Sequence, residues 1–348
     1  MSVFDSSNFD DHESVHLFSD PESGLKAVIA VHSTARGPAA GGTRMWHYQT
    51  DQDAIDDALN LSRAMSYKNA MADIPFGGGK GVIIHPDGKI NRRQLFEAYG
   101  RAIDSLGGIY CTAEDVGVST SDMTHVSRHT KFVGGLDQGK AASGDPSPVT
   151  AEGVFRGLHV AVKNRLGVDS LSGLKVAVQG LGHVGYSLCE KLAAAGAKLW
   201  VADINQAAVK KAEHDLGATI VDPADIHAQR ADIFAPCALG GAINSESIEE
   251  IKASIVGGAA NNQLDTSDMG HALMRREILY CPDYVINGGG IINVAAELSG
   301  KYDPRWVDQK LDGLADTLAQ IFVISNNDNR PTNEIADQMA QARINAAD

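Results

Sequence analysis

The stretch VAVQGLGHVGYSLCEKL (176–192) constrains the fold most. An apolar run, LKVAVQG (174–180), leads straight into Gly180, Gly182 and Gly185, spaced G-x-G-x-x-G, and a helical segment follows. In that setting the glycines allow a tight turn, the close approach of a pyrophosphate, and close packing of strand on helix. The helix N-terminus then faces the phosphates. Asp203 closes the next apolar run, AKLWVAD (197–203), 23 residues after Gly180. A carboxylate there accepts a ribose 2′-hydroxyl and repels a 2′-phosphate, so the predicted cofactor is NAD rather than NADP. The predicted cofactor-binding set is Gly180, Leu181, Gly182, His183, Val184, Gly185 and Asp203. The bland alternative is a glycine turn in a sheet that binds nothing; strand, helix and acid in sequence argue against it.

Further apolar runs, DIFAPCA (232–238), SIVGGAA (254–260) and DYVINGG (283–289), are separated by helical segments. Strands alternating with helices predict a parallel, doubly wound sheet. Before it the rhythm differs. LKAVIAVHS (25–33) reads as a strand, 51–72 as a helix with an acidic first turn, KGVII (80–84) as a strand, 92–106 as a helix and GIYCTA (108–113) as a strand. GGLDQGKAASGDPSPVT (134–150) is rich in Gly, Ser and Pro and marks a hinge. Two helical stretches, 304–325 and 331–345, end the chain. The fold class is therefore α/β with two domains.

The 348 residues are 43% hydrophobic, and 44 acidic against 30 basic residues give a net charge of −14. Such a surface repels nucleic acid and anionic membrane. Cys111, Cys189, Cys237 and Cys281 are far apart, which fits a reduced, cytoplasmic chain. The acidic N-terminus lacks a signal-peptide core, and no apolar run approaches the ~18 residues of a spanning helix.

PFGGGKGVI (75–83) raises a separate question. A P-loop would need a glycine at Ile74 and a hydroxyl at Gly81, so a phosphate cradle fails here. Lys68 interrupts a mostly apolar helix stripe of Ala54, Ala58, Leu61, Met65 and Ala72. Taken alone it reads as a snorkelling lysine. With Lys80 twelve residues on, the two could converge on one pocket, where burial and like charge favour a neutral amine able to act as a base. The glycines would let a substrate lie against the backbone at Lys80. Glu114 and Asp115 follow a strand, where α/β enzymes place catalytic groups. HESVH (12–16) matches H-E-x-x-H but lacks a long amphipathic helix and a third ligand, so no metal site is expected. His125 and His129, four apart with no glutamate between, read as a polar helix face.

With these residues in hand, the chain resembles the amino-acid dehydrogenases acting on glutamate, leucine, phenylalanine, valine and tryptophan, and the leucine enzymes most. The resemblance spans nearly the whole length. It is carried by GPAAGGTRMW (37–46), AMSYKNAMADIPFGGGKGVI (64–83), TAEDVGV (112–118), SPVTAEGVFRG (147–157), VAVQGLGHVG (176–185), FAPCALGG (234–241), GGAANNQL (257–264) and CPDYVINGGGIINVAAEL (281–298). It implies a substrate and oligomerisation domain over 1–135, with 326–348 packing back on it, and a Rossmann-type NAD-binding domain over 136–325. It makes Lys80 the lysine that activates water and Asp115 the acid that exchanges protons with the amino group. Lys68 would bind the substrate carboxylate with backbone near Gly41 and Gly42. Ala40, Met65, Ala113, Ile291 and Val294 would line the side-chain pocket, with Thr150 and Asn262 near nicotinamide and substrate. The implied reaction is reversible oxidative deamination of an apolar L-amino acid in a homo-oligomer. The apolar lining favours leucine, valine or isoleucine; the small Ala40 leaves phenylalanine or tryptophan as the alternative. Gly288 and Ala296 depart from the residues usual at their places. A catalytically dead NAD sensor would not need Lys68, Lys80 and Asp115. A hydroxy-acid dehydrogenase would differ in needing no ammonia.

Overall fold

The computed structural model describes residues 3–136 and 144–347, so part of the 134–150 segment lies outside the described residues. The chain divides into two units. One comprises 1–145, 291–307 and 340–348; the other comprises 146–290 and 308–339. The division thus falls near the glycine-rich segment but places 291–307 with the first unit and 326–339 with the second. The sequence reading had them the other way round.

In the first unit the order is β1 (Ser14–Asp20), β2 (Leu25–Ser33), β3 (Ala39–Ala40), β4 (Thr43–Trp46), α1 (Asp51–Met71), β5 (Gly77–Ile84), α2 (Arg92–Ser105), β6 (Tyr110–Cys111) and α3 (Thr120–Val126). Thr50 and Asp53 form a capping box that starts α1, and Asp51 and Asp53 suit the helix dipole. The sheet order is β1-β2-β5-β3-β6, with β4 also on β5. β1, β2 and β5 are antiparallel neighbours, and the other pairings are parallel. β3 and β4 are one broken strand. Ala39 and Ala40 pair with Gly77 and Gly78, and Thr43 to Trp46 pair with Gly81 to Ile84 in the same register. The break, Gly41–Gly42, therefore lies opposite Gly79 and Lys80.

Period-2 alternation separates the two faces. Val28, Ala30 and Val82 pack with Ala54, Ala58 and Leu59 of α1. Ile29, Val31 and Ile83 pack with Phe96, Tyr99 and Tyr110. Lys80 shares the α1 face with Gly78 and Val82.

The second unit carries α4 (Ser147–Leu166), β7 (Lys175–Gln179), α5 (His183–Ala194), β8 (Lys198–Ala202), α6 (Gln206–Leu216), β9 (Thr219–Ile220), β10 (Ile233–Pro236), α7 (Ser247–Glu250), β11 (Ile255–Val256), α8 (Met269–Arg275), β12 (Leu279–Tyr280) and α9 (Asp283–Ile286). Helices α10 (Gly289–Leu298), α11 (Pro304–Asp328) and α12 (Thr332–Asn345) each contribute residues to both units. The sheet order is β12-β11-β10-β7-β8-β9, and all its pairs are parallel. This is the 3-2-1-4-5-6 order of a dinucleotide-binding sheet, whose direction switches between β7 and β10.

The run 283–289, expected as a strand, is instead the one-turn α9; the last strand is β12, just before it. Local turn chemistry outweighs the apolar run. Val285 and Ile286 amides donate to Pro282 O, at 3.0 Å each, and the Tyr284 amide donates to Asp283 Oδ1 at 2.7 Å. β1, absent from the sequence reading, is an edge strand with only partial burial, which erases the alternation that would announce it.

Candidate active site

In the first unit the glycine run is a packing device. None of Gly77 to Gly81 has a positive φ. A Cβ on Gly78 would lie 2.1 Å from Ser66 N and Oγ on α1. On Gly79 it would meet the Tyr110 ring at 2.8 Å, and on Gly81 the Tyr99 hydroxyl at 2.0 Å. The room at these glycines is filled by helix α1 and two tyrosines, not left for a substrate. That corrects the expectation of open backbone at Lys80. Gly78 lets α1 come onto the sheet, with Lys68 two residues beyond Ser66, and Gly79 and Gly81 make room for the tyrosines on the other face.

Lys80 is only 5% exposed. Its ammonium is hydrogen-bonded to Asp115 Oδ2. Its immediate electrostatic partner is therefore an anion, not Lys68 as the sequence suggested. Burial works against ionisation of Asp115, but Lys80 and Arg44 outweigh it and hold the carboxyl below its ordinary range. Lys68 is half-buried on the 61–65–68 side of α1.

A polar layer fixes the surrounding backbone. Asn69 Nδ2 donates to Gly77 O at 2.6 Å and Ala40 O at 3.2 Å. Tyr110 OH donates to Gly41 O at 2.6 Å. Thr43 Oγ1 bonds Tyr99 OH at 2.7 Å and Thr112 Oγ1 at 2.6 Å. Ala40 and Ala113 are buried, and Met65, Ile291 and Val294 partly so. Positions for a Cβ on Gly41 and on Gly134 lie 3.0 Å from Met65 Cγ and 3.2 Å from Val294 Cγ1 respectively. Ala113 Cβ is near Gly135, whose amide donates to the buried Glu297 carboxylate at 2.5 Å. Ile291 and Val294 thus belong to the same unit as Ala40, Met65 and Ala113. Asn69, Glu297 and Arg44 were not singled out from the sequence, although all three lie within the family-like motifs; their meaning comes from partners on other elements.

In the second unit the three glycines meet different surroundings. Gly180 has φ +98° and lies against Ala238 N, at the point where the sheet switches direction. A Cβ on Gly185 would sit 2.1 Å from Gly180 O, whereas one on Gly182 would meet nothing within 4 Å. Gly182 caps α5 without a side-chain hydrogen bond, and the space over it at the start of the helix is open. Asp203 Oδ2 accepts the Leu181 amide at 2.6 Å, and Oδ1 the Asn205 amide at 2.7 Å. These groups border a groove of about 810 Å³ that continues past Cys237, Leu239, Gly240 and Asn244. Burial pushes the Cys237 thiol up to about 11. Asn262, at φ +51°, accepts the Gly241 amide at 2.7 Å and so borders the same loop. Thr150 is in the first turn of α4, its hydroxyl donating to Pro146 O at 3.1 Å. Open space over Gly182 at the start of a helix, with the Asp203 carboxylate lining the same groove, fits a dinucleotide.

His12 bonds Leu59 O and Ser62 Oγ, both at 3.0 Å, and His16 is on β1 beside Ser14. The H-E-x-x-H match therefore pins the N-terminal segment to α1. Among the described residues, no three His, Cys, Asp or Glu are grouped to hold a metal ion. Nor is any helix among them long and apolar enough to cross a membrane.

Comparison with known proteins gives the same class from both units. Residues 12–132 match the Glu/Leu/Phe/Val dehydrogenase dimerisation domain, and 200–346 the glutamate/leucine/phenylalanine/valine dehydrogenase domain. The chain is 48% identical over 344 residues to a leucine dehydrogenase of Geobacillus stearothermophilus, covering 99% of this chain and 94% of that protein. It is 43% identical over 347 residues to an L-tryptophan dehydrogenase of Nostoc punctiforme, covering 99% and 97%. The crystal structure of L-tryptophan dehydrogenase from Nostoc punctiforme superposes with a TM-score of 0.85 at 42% identity, covering 97% and 96%. Fold and site together define a two-domain, nicotinamide-dinucleotide-dependent amino-acid dehydrogenase. The chain belongs to the Glu/Leu/Phe/Val dehydrogenase family.

Proposed function

We propose that this chain catalyses the reversible oxidative deamination of an apolar L-amino acid, leucine foremost, with NAD. L-amino acid, water and NAD give the 2-oxo acid, ammonium, NADH and a proton. The observation that carries this reading is the buried Lys80 paired with the half-buried Asp115, set in a glycine-packed frame in a chain 48% identical to leucine dehydrogenases. When bound, the nicotinamide accepts hydride from the substrate Cα.

Lys80 takes a proton from the water that attacks the imine carbon. Asp115 accepts a proton from the substrate ammonium, and in the reverse direction returns one. Lys68 anchors the α-carboxylate with the backbone at Gly41–Gly42. Ala40, Met65, Ala113, Ile291 and Val294 offer apolar side chains to that of the substrate, and none of the five supplies a cation for a side-chain carboxylate. Thr150 and Asn262 hold the nicotinamide end, and Gly180 to Gly185 hold the pyrophosphate. One methylene in such a pocket is worth ~1–3 kcal/mol. Neighbouring aliphatic substrates are therefore turned over too. The small Ala40 and the likeness to tryptophan dehydrogenase favour measurable activity on aromatic amino acids as the second reading. The free cysteines support a reduced, cytoplasmic setting, and the dimerisation-domain match supports a homo-oligomer.

NAD is preferred because Asp203 offers hydrogen-bond acceptors at the ribose. The groove around it also has acids Glu246 and Glu250 in its lining, with neither lysine nor arginine among its described lining residues to meet a 2′-phosphate. NADH formation from L-leucine, measured in parallel with NAD and NADP, tests this. NAD is expected to lead by at least about tenfold in kcat/KM. Equal use of the two would remove Asp203 from the selecting role.

A further inference from the structure

Asp115 Oδ2 lies between two cations. It is bonded to Lys80 Nζ and stands 3.6 Å from Arg44 Nε. Arg44 is held on its other side. Its Nη1 donates to both oxygens of Asp57, at 3.2 and 3.1 Å, and Tyr48 OH donates to Asp57 Oδ2 at 2.5 Å. Arg44 Nε is itself buried and has no hydrogen-bond partner. An unmade buried N–H is costly, and the nearest carboxylate oxygen is a few tenths of an ångström beyond bonding distance.

Among the described residues, the groups acting on Asp115 come from several elements, and Gly42 packs against its Cβ. Lys80 comes from β5, Arg44 from β4, and the Val116 amide from its own loop. Asp57 of α1 and Tyr48 act on it through Arg44. The two cations differ in kind. Lysine exchanges its proton, whereas arginine stays charged throughout. Any step in which Lys80 is neutral or turned away would strip Asp115 of its partner, were Arg44 not beside it.

We propose that Arg44 is a positioning residue. It keeps Asp115 ionised and aimed while Lys80 changes its protonation or orientation, and Asp57 sets how far Arg44 can lean toward it. This rests on the roles proposed above for Lys80 and Asp115. The rising pH limb of deamination belongs to the Lys80–Asp115 cluster as a whole. Removing a fixed positive charge beside the cluster moves its titrations to higher pH, and removing a fixed negative charge moves them to lower pH.

The test is the pH dependence of kcat/KM for L-leucine in Arg44→Gln, Arg44→Lys, Asp57→Asn and Asp115→Asn. In Arg44→Gln the limb is expected to move up by about one pH unit, the low end for a charge at this range because Asp57 shares the guanidinium. Arg44→Lys should return most of that shift. Asp57→Asn, which releases Arg44 to Asp115, should move the limb down. KM for NAD should stay constant in the Arg44 and Asp57 variants. An Arg44→Gln limb at the wild-type position, or a lysine variant no better than glutamine, overturns the proposal. If Arg44→Gln does not fold, Asp57→Asn decides: a downward shift supports it, and an unchanged or upward limb overturns it. Asp115→Asn separates the two layers. If it keeps the wild-type rate, the proposed role of Asp115 fails and this inference with it. If it is inactive while the Arg44 limb stays in place, only this inference fails.

Discussion

Lys80→Ala is expected to lower kcat for leucine deamination by about 10²–10⁴-fold, the range for losing a positioned general base, while NAD binds as before. The cofactor half follows from the fold. Gly180, Gly182 and Asp203 belong to the second unit, with its own parallel sheet, and Lys80 belongs to the first. The rate follows from placement. Lys80 is on a central strand, 5% exposed, and is bonded to Asp115. Water has no comparable means of taking up the proton in that setting. The truncation leaves the half-buried Asp115 beside Arg44 without its lysine partner, so some stability is lost as well. A dinucleotide titration by fluorescence separates that loss from the chemical one. A near-normal kcat in the variant would leave the lysine a structural counter-ion only.

Gly78→Ala is expected to cost at least about 3 kcal/mol of stability or to prevent folding. This is the upper end for overpacking, because the obstacle is helix backbone. The new methyl would sit 2.1 Å from Ser66 N and 2.5 Å from Ser66 Cα. A side chain can turn aside; α1 can only lift from the sheet, taking Asn69, its bonds to Ala40 and Gly77, and Lys68 with it. Gly182→Ala is the contrasting variant. Its methyl meets nothing within 4 Å, so the denaturation midpoint should hold while the Kd for NAD rises. Equal midpoints for wild type and Gly78→Ala, measured by chemical denaturation, would mean that α1 is not held as closely as described.

These two glycines show why parts of the molecule were legible in the sequence and others were not. The cofactor turn is a local device: strand, turn and helix are contiguous, so spacing alone gives each glycine its task. Gly78 is different. It is set by Ser66, twelve residues earlier and on another element, and from the sequence the run looked like room for a substrate. The same reason hides Arg44, whose meaning comes from Asp57 and Asp115 together, and Asn69, whose partners are carbonyls on two strands. Long elements such as α1 and β2 were readable from local signals, an acidic first turn on a long helix-forming run and an unbroken apolar run. Residues 283–286 were not: a one-turn helix and a short buried strand carry the same apolar letters, and Pro282 with Asp283 decides between them. The assignment of 291–307 to the first unit likewise has no local mark. The chain changes units within regular helices, without a linker.

The central claim is that this chain joins ammonia to an apolar 2-oxo acid. Its most direct test is NADH oxidation with a panel of 2-oxo acids, each with and without ammonium. The account predicts that oxidation requires ammonium for every substrate. It also predicts that 4-methyl-2-oxopentanoate and its branched neighbours lead in kcat/KM, and that phenylpyruvate follows at a lower, measurable rate. NADH oxidation that proceeds equally without ammonium, giving the 2-hydroxy acid, would contradict it.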